Sequence, residues 1–393
     1  MSDLLAIHEA RRRVLAEAWA LADEEIPLEW TLGRVLAEDV TASVTVPPFD
    51  SSAMDGFALA AGPASELDVV GEARAGHPYP DRVAAGTAVR ISTGAVVPDG
   101  ADAVVPVERA EDRGARVVVP EVSPDANVRR AGEDVRSGDV VLRRGDRLGP
   151  AEIGVAASVG RPALRCSLRP RVALVVTGDE LAKPGEDLPP GRIYGSNAYS
   201  LAAQVERAGA ELAASLTAED TAAGTRARVE RALADADVVC VSGGVSVGPH
   251  DHVRGAMSEL GVKERFWGVA LKPGKPTWFG VRDGTLAFGL PGNPVSAMVT
   301  FQLFVRPLLA ALQGADPNAR RVRAVLAESV PANPRREQAV RVRLSSDGGL
   351  RAEPTGPQGS HILTSMLGAD GLALIPAREG ELAAGEPVEV ELL

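Results

Sequence analysis

The 393 residues carry 42 Lys and Arg against 53 Asp and Glu, a formal net charge of −11, with 45% hydrophobic and 24% charged residues. That balance is the one of an ordinary globular chain, and its sign argues against general binding to nucleic acid or to an anionic membrane surface. At this length two to four domains are expected, with ample surface to bury.

Met1 to Leu15 is polar with helical spacing and lacks the apolar core of a secretory signal. With only two cysteines, the distant Cys166 and Cys240, the expectation is a reducing cytoplasm and neither a disulfide framework nor a zinc site. Leu4, Ile7, Ala10, Val14, Leu15 and Ala18 predict a helix over 3–23, and 28–37 continues with short helical character. Residues 44–48 are extended. Short apolar runs at 69–70, 89–91, 104–107 and 117–119 alternate with turn residues, which predicts a β-rich insert domain over 47–134. A loop and a helix over 151–159 follow, so 1–46 and 135–170 are read as a helical connecting region.

Arg171 opens a different pattern. Residues 172–176 read as a buried strand, Ser196 or Asn197 caps a helix that runs to Gly209, a strand lies near 212–216, and a helix covers 221–234. The β-branched run at 238–241 is of the kind buried in a parallel sheet. Gly243, Gly244 and Gly248 break it, and Pro249 is suited to open a helix. This alternation predicts βαβ units around a parallel sheet over 171–316. A strand at 286–288 leads into Gly289-Leu-Pro-Gly-Asn-Pro294, with Asn293 as N-cap and Pro294 at the first helical position. Residues 294–312 have the length of a membrane span, but Gln302, Arg306 and Pro307 interrupt them. An arginine near a span's centre costs roughly 2.5–3.5 kcal/mol, so a core helix is expected and no membrane. Strands at 322–326, 340–344, 372–375 and 388–392 predict a small β domain over 317–393. The fold class is multidomain α/β plus β.

A strand, a glycine-rich loop and a helix start at the carboxyl edge of a parallel sheet present unpaired backbone N–H groups, where anions and phosphates bind. Gly243, Gly244, Ser246 and Gly248 are the candidates. Asp179 and Glu180 follow the first strand, Asp220 the second, and Asp251 the glycine loop, so all face one crevice. Each alone is a solvated or capping side chain. Together they conflict, since like charges ~4 Å apart repel by about 4 kcal/mol at an effective dielectric near 20. Mg²⁺, which takes one or two carboxylates plus phosphate oxygens, relieves that conflict. A Mg²⁺–phosphate site among these carboxylates is therefore expected.

Lys272-Pro-Gly-Lys275 is not a P-loop, because five residues separate Gly268 from Gly274 and Pro276 stands where Ser or Thr belongs. Alone it is a solvated turn; beside a phosphate loop it is a pair of anion-binding cations. Gly244-Val-Ser-Val-Gly248 matches a nucleophile elbow, so a serine hydrolase using Ser246, with Asp283 and His361, is the rival reading, though no His-Gly-Gly oxyanion loop precedes it. In the insert, Met54 and Phe57 read as packing residues. Asp50 and Asp55 beside Ser51 and Ser52 read as turn-formers or ligands, and Arg90 to Ala95 and Arg129 to Asp134 are equally open.

Taken together, Ser52-Ala-Met-Asp-Gly56, Arg90-Ile-Ser-Thr-Gly-Ala95, Gly132-Glu-Asp134, Thr177-Gly-Asp-Glu-Leu181, Ser242 to Gly248, Lys272 to Pro276, Gly289 to Ser296 and Gln358-Gly-Ser-His361 resemble the molybdopterin molybdenumtransferases, the MoeA and gephyrin E-domain family. The motifs stand in the family's order and span nearly the whole chain. The resemblance implies that adenylylated molybdopterin and molybdate give molybdenum cofactor and AMP, with Mg²⁺ required. It implies that Asp55, Thr93, Asp134, Glu180, Lys272 and Lys275 act in catalysis, and that Arg129, Asp220, Asp251, Pro291, Asn293, Arg341 and Ser360 join the glycine loop in binding. Relatives often carry a basic residue where Gly268 stands, so one oxyanion contact is missing here or comes from elsewhere. Molybdenum ends on the pterin's own dithiolene sulfurs, so a protein Cys/His cluster is not needed, and none is present. The family further implies a homodimer with the active site shared between subunits, and transient contact with the molybdopterin adenylyltransferase and acceptor molybdoenzymes. A catalytically silent pterin carrier or scaffold is the other rival; against it, every acidic motif position is filled.

Overall fold

The computed structural model describes residues 4–245, 252–346 and 348–393. After helix α1 (Ile7–Leu15) the chain builds two compact units, one of Met1–Glu24, Gly33–Ala37 and Arg165–Leu393, the other of Glu25–Leu32 and Glu38–Leu164. Helical character over 28–37 shrinks to one 3-10 turn, Leu28–Trp30. Thr31 closes it with both its N–H and its hydroxyl on the Leu28 carbonyl, and Gly33 at φ +75° turns the chain away.

The second unit is a sheet of β1 (Gly56–Leu59), β2 (Ser65–Ala73), β3 (Thr87–Ile91), β4 (Ala103–Pro106), β5 (Glu111–Asp112) and β6 (Arg116–Val119), in the order β4–β1–β3–β2–β6–β5. Alternate residues feed two cores, Phe57, Val105 and Val117 on one face and Ala58, Val89 and Val104 on the other, as the two-residue period of a strand requires. A Cβ at Gly56 would lie 2.0 Å from the Val105 carbonyl oxygen, so only glycine lets β1 and β4 meet there. Helix α2 (Pro150–Ser158) completes this unit, opened by Pro150 and by the Glu152 carboxylate on the Gly149 N–H.

In the first unit β7 (Arg171–Thr177), α3 (Asn197–Arg207), β8 (Glu211–Ala218), α4 (Ala222–Asp235), β9 (Val238–Ser242), α5 (Val253–Glu259), β10 (Lys263–Trp267), β11 (Trp278–Arg282) and β12 (Thr285–Leu290) form an α/β layer. The strand order is β8–β7–β9–β12–β11–β10. β8, β7, β9 and β12 are parallel, as expected, and β9 is buried along its whole length. β11 and β10 add an antiparallel edge, so the sheet is mixed. Thr221 caps α4 by accepting the Gly224 N–H. The apolar helix α6 (Pro294–Leu312) is the one described helix of spanning length and hydropathy, and 83% of its window is buried inside the protein. Phe301, Leu303, Phe304, Val305 and Leu308 join it to the main core.

Strands β13 (Arg321–Leu326), β14 (Glu337–Ser346), β15 (Leu350–Pro354), β16 (Gly371–Ile375) and β17 (Pro387–Leu392) pair in the circuit β14–β15–β13–β17–β16–β14, a closed small barrel without free edges. Helix α1 is tied to it through Arg11, whose guanidinium lies 3.0 Å from Glu391, a carboxylate with 0% side-chain exposure that also meets Arg321 at 3.1 Å.

Phe279 sits between Phe266 and Phe288 with centroids at 5.8 and 4.8 Å. Phe279→Ala is expected to destabilise this unit by about 3–5 kcal/mol, seen as a lowered midpoint in urea unfolding; an unchanged midpoint would contradict that placement.

Candidate active site

The chain leaves β7 through α3 toward β8 and leaves β9 through α5 toward the other side of the sheet, so the carboxyl ends of β7 and β9 form a topological switch point, the position where open α/β sheets bind ligands. A cleft of about 660 Å³ opens there. Its floor is bare backbone. A Cβ at Gly243, at φ +98°, would fall 2.6 Å from Thr177 Oγ1, and one at Gly292 would fall 3.6 Å from Gly243 Cα. The Gly243 N–H donates to the Leu290 carbonyl at 3.1 Å. The Ser242 hydroxyl donates to the Pro291 carbonyl at 3.2 Å, while Asn197 Nδ2 donates to Ser242 Oγ at 2.9 Å and to the Gly292 carbonyl at 2.7 Å.

Asn197 is the residue that sequence reasoning missed. It enters there only as an alternative cap, whereas Ser196 takes the cap position, without a side-chain bond, and the Asn197 amide joins two loops of the site. Its signal was a side-chain amide directly after Gly195 and Ser196 at the carboxyl edge of the sheet.

Glu180 and Asp220 both line the cleft. The Glu180 carboxylate folds over Gly178, where a Cβ would lie 2.5 Å from Oε2. Asp179 and Asp220 cross-link their loops, the Asp220 N–H donating to Asp179 Oδ1 at 3.1 Å and the Asp179 N–H to Asp220 Oδ2 at 3.3 Å. Ser246, Gly248, Pro249 and Asp251 lie outside the described residues. Among those described, no three His, Cys, Asp or Glu side chains gather as a metal-holding group, and the next helix begins at Val253, preceded by His252.

Pro291 and Asn293 line the cleft, as does His361. Asn293 stands at the N-cap and Pro294 at the first helical position, but the Asn293 side chain makes no cap bond. Its Nδ2 donates instead to Ser360 Oγ at 3.0 Å, and the Ser360 carbonyl accepts the Val295 N–H at 3.1 Å. A barrel loop thus supplies the partner that the helix start lacks. Lys272 and Lys275 are exposed on a fixed turn: Thr277 Oγ1 donates to the Gly274 carbonyl at 2.7 Å, and Leu271 and Lys272 pair with Glu337 and Gln338 of β14. Neither lysine lines the cleft; their neighbour Pro276 does. Gly268, at φ +90°, accepts the Leu5 N–H at 3.1 Å, and a Cβ there would press on Leu4, so a basic side chain at this position would be strained.

Arg341 departs from expectation. It is 1% exposed, and burial pushes its guanidinium down to about 10. Nε and Nη2 donate to Ser365 Oγ at 3.2 and 3.1 Å and Nη2 to the Gly359 carbonyl at 3.4 Å, so it braces the loop that carries Ser360 and His361 and does not face the cleft. The hydrolase rival fails on position. Asp283, at φ +35°, and Gly284 make the hairpin turn before β12, a strand's length, roughly 20 Å, from the carboxyl edge where His361 lies.

Within the second unit, the Asp55 carboxylate accepts the Thr93 N–H at 2.6 Å and its hydroxyl at 3.1 Å. Arg129 pairs with Ser51 across two short strands, and the Asp134 N–H donates to the Val46 carbonyl at 3.2 Å. These four exposed residues thus sit on one set of interlocked turns. Asp50 is a turn-former, bound to the Arg130 guanidinium and to the Ala131 N–H.

Residues 5–160 match the MoeA N-terminal region (domains I and II), 173–311 a probable molybdopterin binding domain, and 323–393 the MoeA C-terminal region (domain IV). The chain is 39% identical, over 97% of its length and 98% of the relative's, to molybdopterin molybdenumtransferase 2 of Mycobacterium tuberculosis. It is 33% identical to the molybdopterin molybdenumtransferase of Haemophilus influenzae, over 99% and 98% of the two chains. The crystal structure of the molybdopterin biosynthesis moeA protein of Pyrococcus horikoshii OT3 superimposes with a TM-score of 0.85 at 30% identity, over 100% of both chains. The chain belongs to the molybdopterin molybdenumtransferase family.

If Arg341 braces the barrel loop, Arg341→Met should leave the buried Ser365 hydroxyl oxygen without its donor and cost about 1–3 kcal/mol. A lowered melting temperature is expected; an unchanged one with weakened ligand binding would make Arg341 a direct ligand.

Proposed function

We propose that the switch-point cleft binds adenylylated molybdopterin, and that the protein transfers molybdenum from molybdate onto the pterin's dithiolene sulfurs with release of AMP. The observation that carries this reading is the floor of bare glycine backbone at Gly243 and Gly292 between two carboxylates, Glu180 and Asp220. Bare backbone lets a phosphate chain approach closely. Both cysteines are buried, which suits chemistry in which the metal goes to the substrate's sulfurs, and a cytoplasmic setting belongs to the same reading.

The donors facing the cleft are hard carboxylate oxygens, the set that Mg²⁺ prefers, so Glu180 and Asp220, with Asp251, would hold it. Bound there, Mg²⁺ would neutralise phosphate charge and orient the phosphate oxygens. The chain's own residues do the rest by positioning and charge. Lys272 and Lys275, exposed beside Pro276, attract the molybdate dianion, and Asn197 keeps the two loops of the floor together. AMP release from adenylylated molybdopterin should require molybdate, and Glu180→Gln should slow it by about 10²-fold while the fold persists. A fully active variant at limiting Mg²⁺ would remove Glu180 from the mechanism.

Asp55 and Thr93 belong to one compact unit and Glu180 and Asp220 to the other. We infer a homodimer in which the Asp55 cluster completes the partner's cleft. Mixing Asp55→Ala with Glu180→Gln subunits should then restore roughly a quarter of wild-type activity, since about half of randomly exchanged dimers hold one intact site. No recovery after demonstrated subunit exchange would contradict the shared site.

A further inference from the structure

The glycine-rich turn after β9 is held from the far edge of the sheet. Strand register sets Trp267, Trp278, Gly289 and Val241 in one row across β10, β11, β12 and β9. Gly289 leaves a gap in that row, and Val245 fills it: a Cβ at Gly289 would lie 2.6 Å from Val245 Cγ1. Val245, 2% exposed, therefore lies down on the sheet, lining the cleft with its carbonyl turned to the edge strand, where Trp267 Nε1 donates to it at 3.0 Å.

The start of α5 is fastened to the same place. Arg254, in the first turn of α5, lies over the Trp267 ring with its guanidinium carbon 5.2 Å from the centroid. Its Nη2 donates to Glu264 Oε2 at 2.9 Å, and that oxygen also accepts Trp278 Nε1 at 2.6 Å. Val245 and Arg254 bracket residues 246–251 in sequence, so one indole grips the chain on either side of them, by its N–H at Val245 and its face at Arg254.

We propose that Trp267 is a positioning residue for the cleft: it holds the cleft-lining Val245 through its N–H and Arg254 through its ring face, the described chain on both sides of residues 246–251. Packing alone would be satisfied by any flat apolar ring. The N–H bond to a main-chain carbonyl of the cleft lining is what only tryptophan supplies, since phenylalanine keeps the stacked face and lacks the donor. The catalytic consequence rests on the cleft being the site for adenylylated molybdopterin.

The test is hydrogen exchange of the full-length protein, followed by steady-state kinetics. In Trp267→Phe, amides of peptides spanning 243–253 should exchange roughly three- to tenfold faster, the worth of one lost hydrogen bond, while peptides of β7 exchange as in wild type. The KM for adenylylated molybdopterin should rise by a similar factor with kcat within about twofold, a split that general loss of stability would not produce. Arg254→Met, altered at a side chain 38% exposed, should act in the same direction and carries the comparison should Trp267→Phe not fold. Unchanged exchange in the folded variants, or faster exchange with an unchanged KM, overturns the proposal. Faster exchange in a protein whose wild type releases no AMP supports the clasp and overturns the functional reading instead.

Discussion

The site depends on one close approach, between the turn after β9 and the end of β7. Parallel neighbours in a sheet lie about 4.8 Å apart, so the residue that turns out of β9 at Gly243 passes directly over Thr177. The 2.6 Å between the position of a Cβ and Thr177 Oγ1 leaves no room for any side chain, and the φ of +98° is one that other residues rarely hold. From that contact the rest follows. The turn lies low enough for its N–H to reach the Leu290 carbonyl, for Gly292 to abut it, and for Ser242 and Asn197 to bond across the seam. What is left above is a cleft lined by Gly243 and Gly292 together with the carboxylates Glu180 and Asp220.

The closed barrel serves this cleft from outside the sheet. Arg341 holds the loop of Ser360 from below, and Ser360 meets both the Asn293 side chain and the Val295 N–H. The start of α6, one wall of the cleft, is thereby capped by another domain rather than by its own N-cap residue. The lysine turn is fixed by the same neighbours, since Leu271 and Lys272 add to β14 and Gly274 packs on Thr300 of α6. An acidic protein thus holds two lysines on a fixed turn whose neighbour Pro276 lines the cleft, so the local arrangement of charge is not that of the net −11.

Much of this was legible in the sequence where one physical rule acts alone. β7 and β9 are buried on both faces and read as unbroken apolar runs; Thr221 announces α4; the glycines after β9 mark the turn. Where tertiary partners decide, the sequence is mute. Lys263–Trp267 mixes charge with aromatics because it is the edge strand, and it escaped notice, as did its buried neighbour Trp278–Arg282, although the two make the sheet mixed. Leu350–Pro354, the strand that closes the barrel, has only two strongly apolar side chains, Leu350 and Ala352. Asn293 reads as a cap because Asn before Pro usually is one, and its amide goes to Ser360 instead. Arg341 reads as a ligand only through the family resemblance, and burial directs it into the barrel.

In the proposed function, glycine at 243 makes the floor on which the phosphate chain rests. Isothermal titration of Gly243→Ala with adenylylated molybdopterin addresses it, with circular dichroism showing that the variant is folded. Affinity should fall by more than about tenfold, which corresponds to 1.4 kcal/mol. Binding within about twofold of wild type would place the substrate somewhere other than this seam.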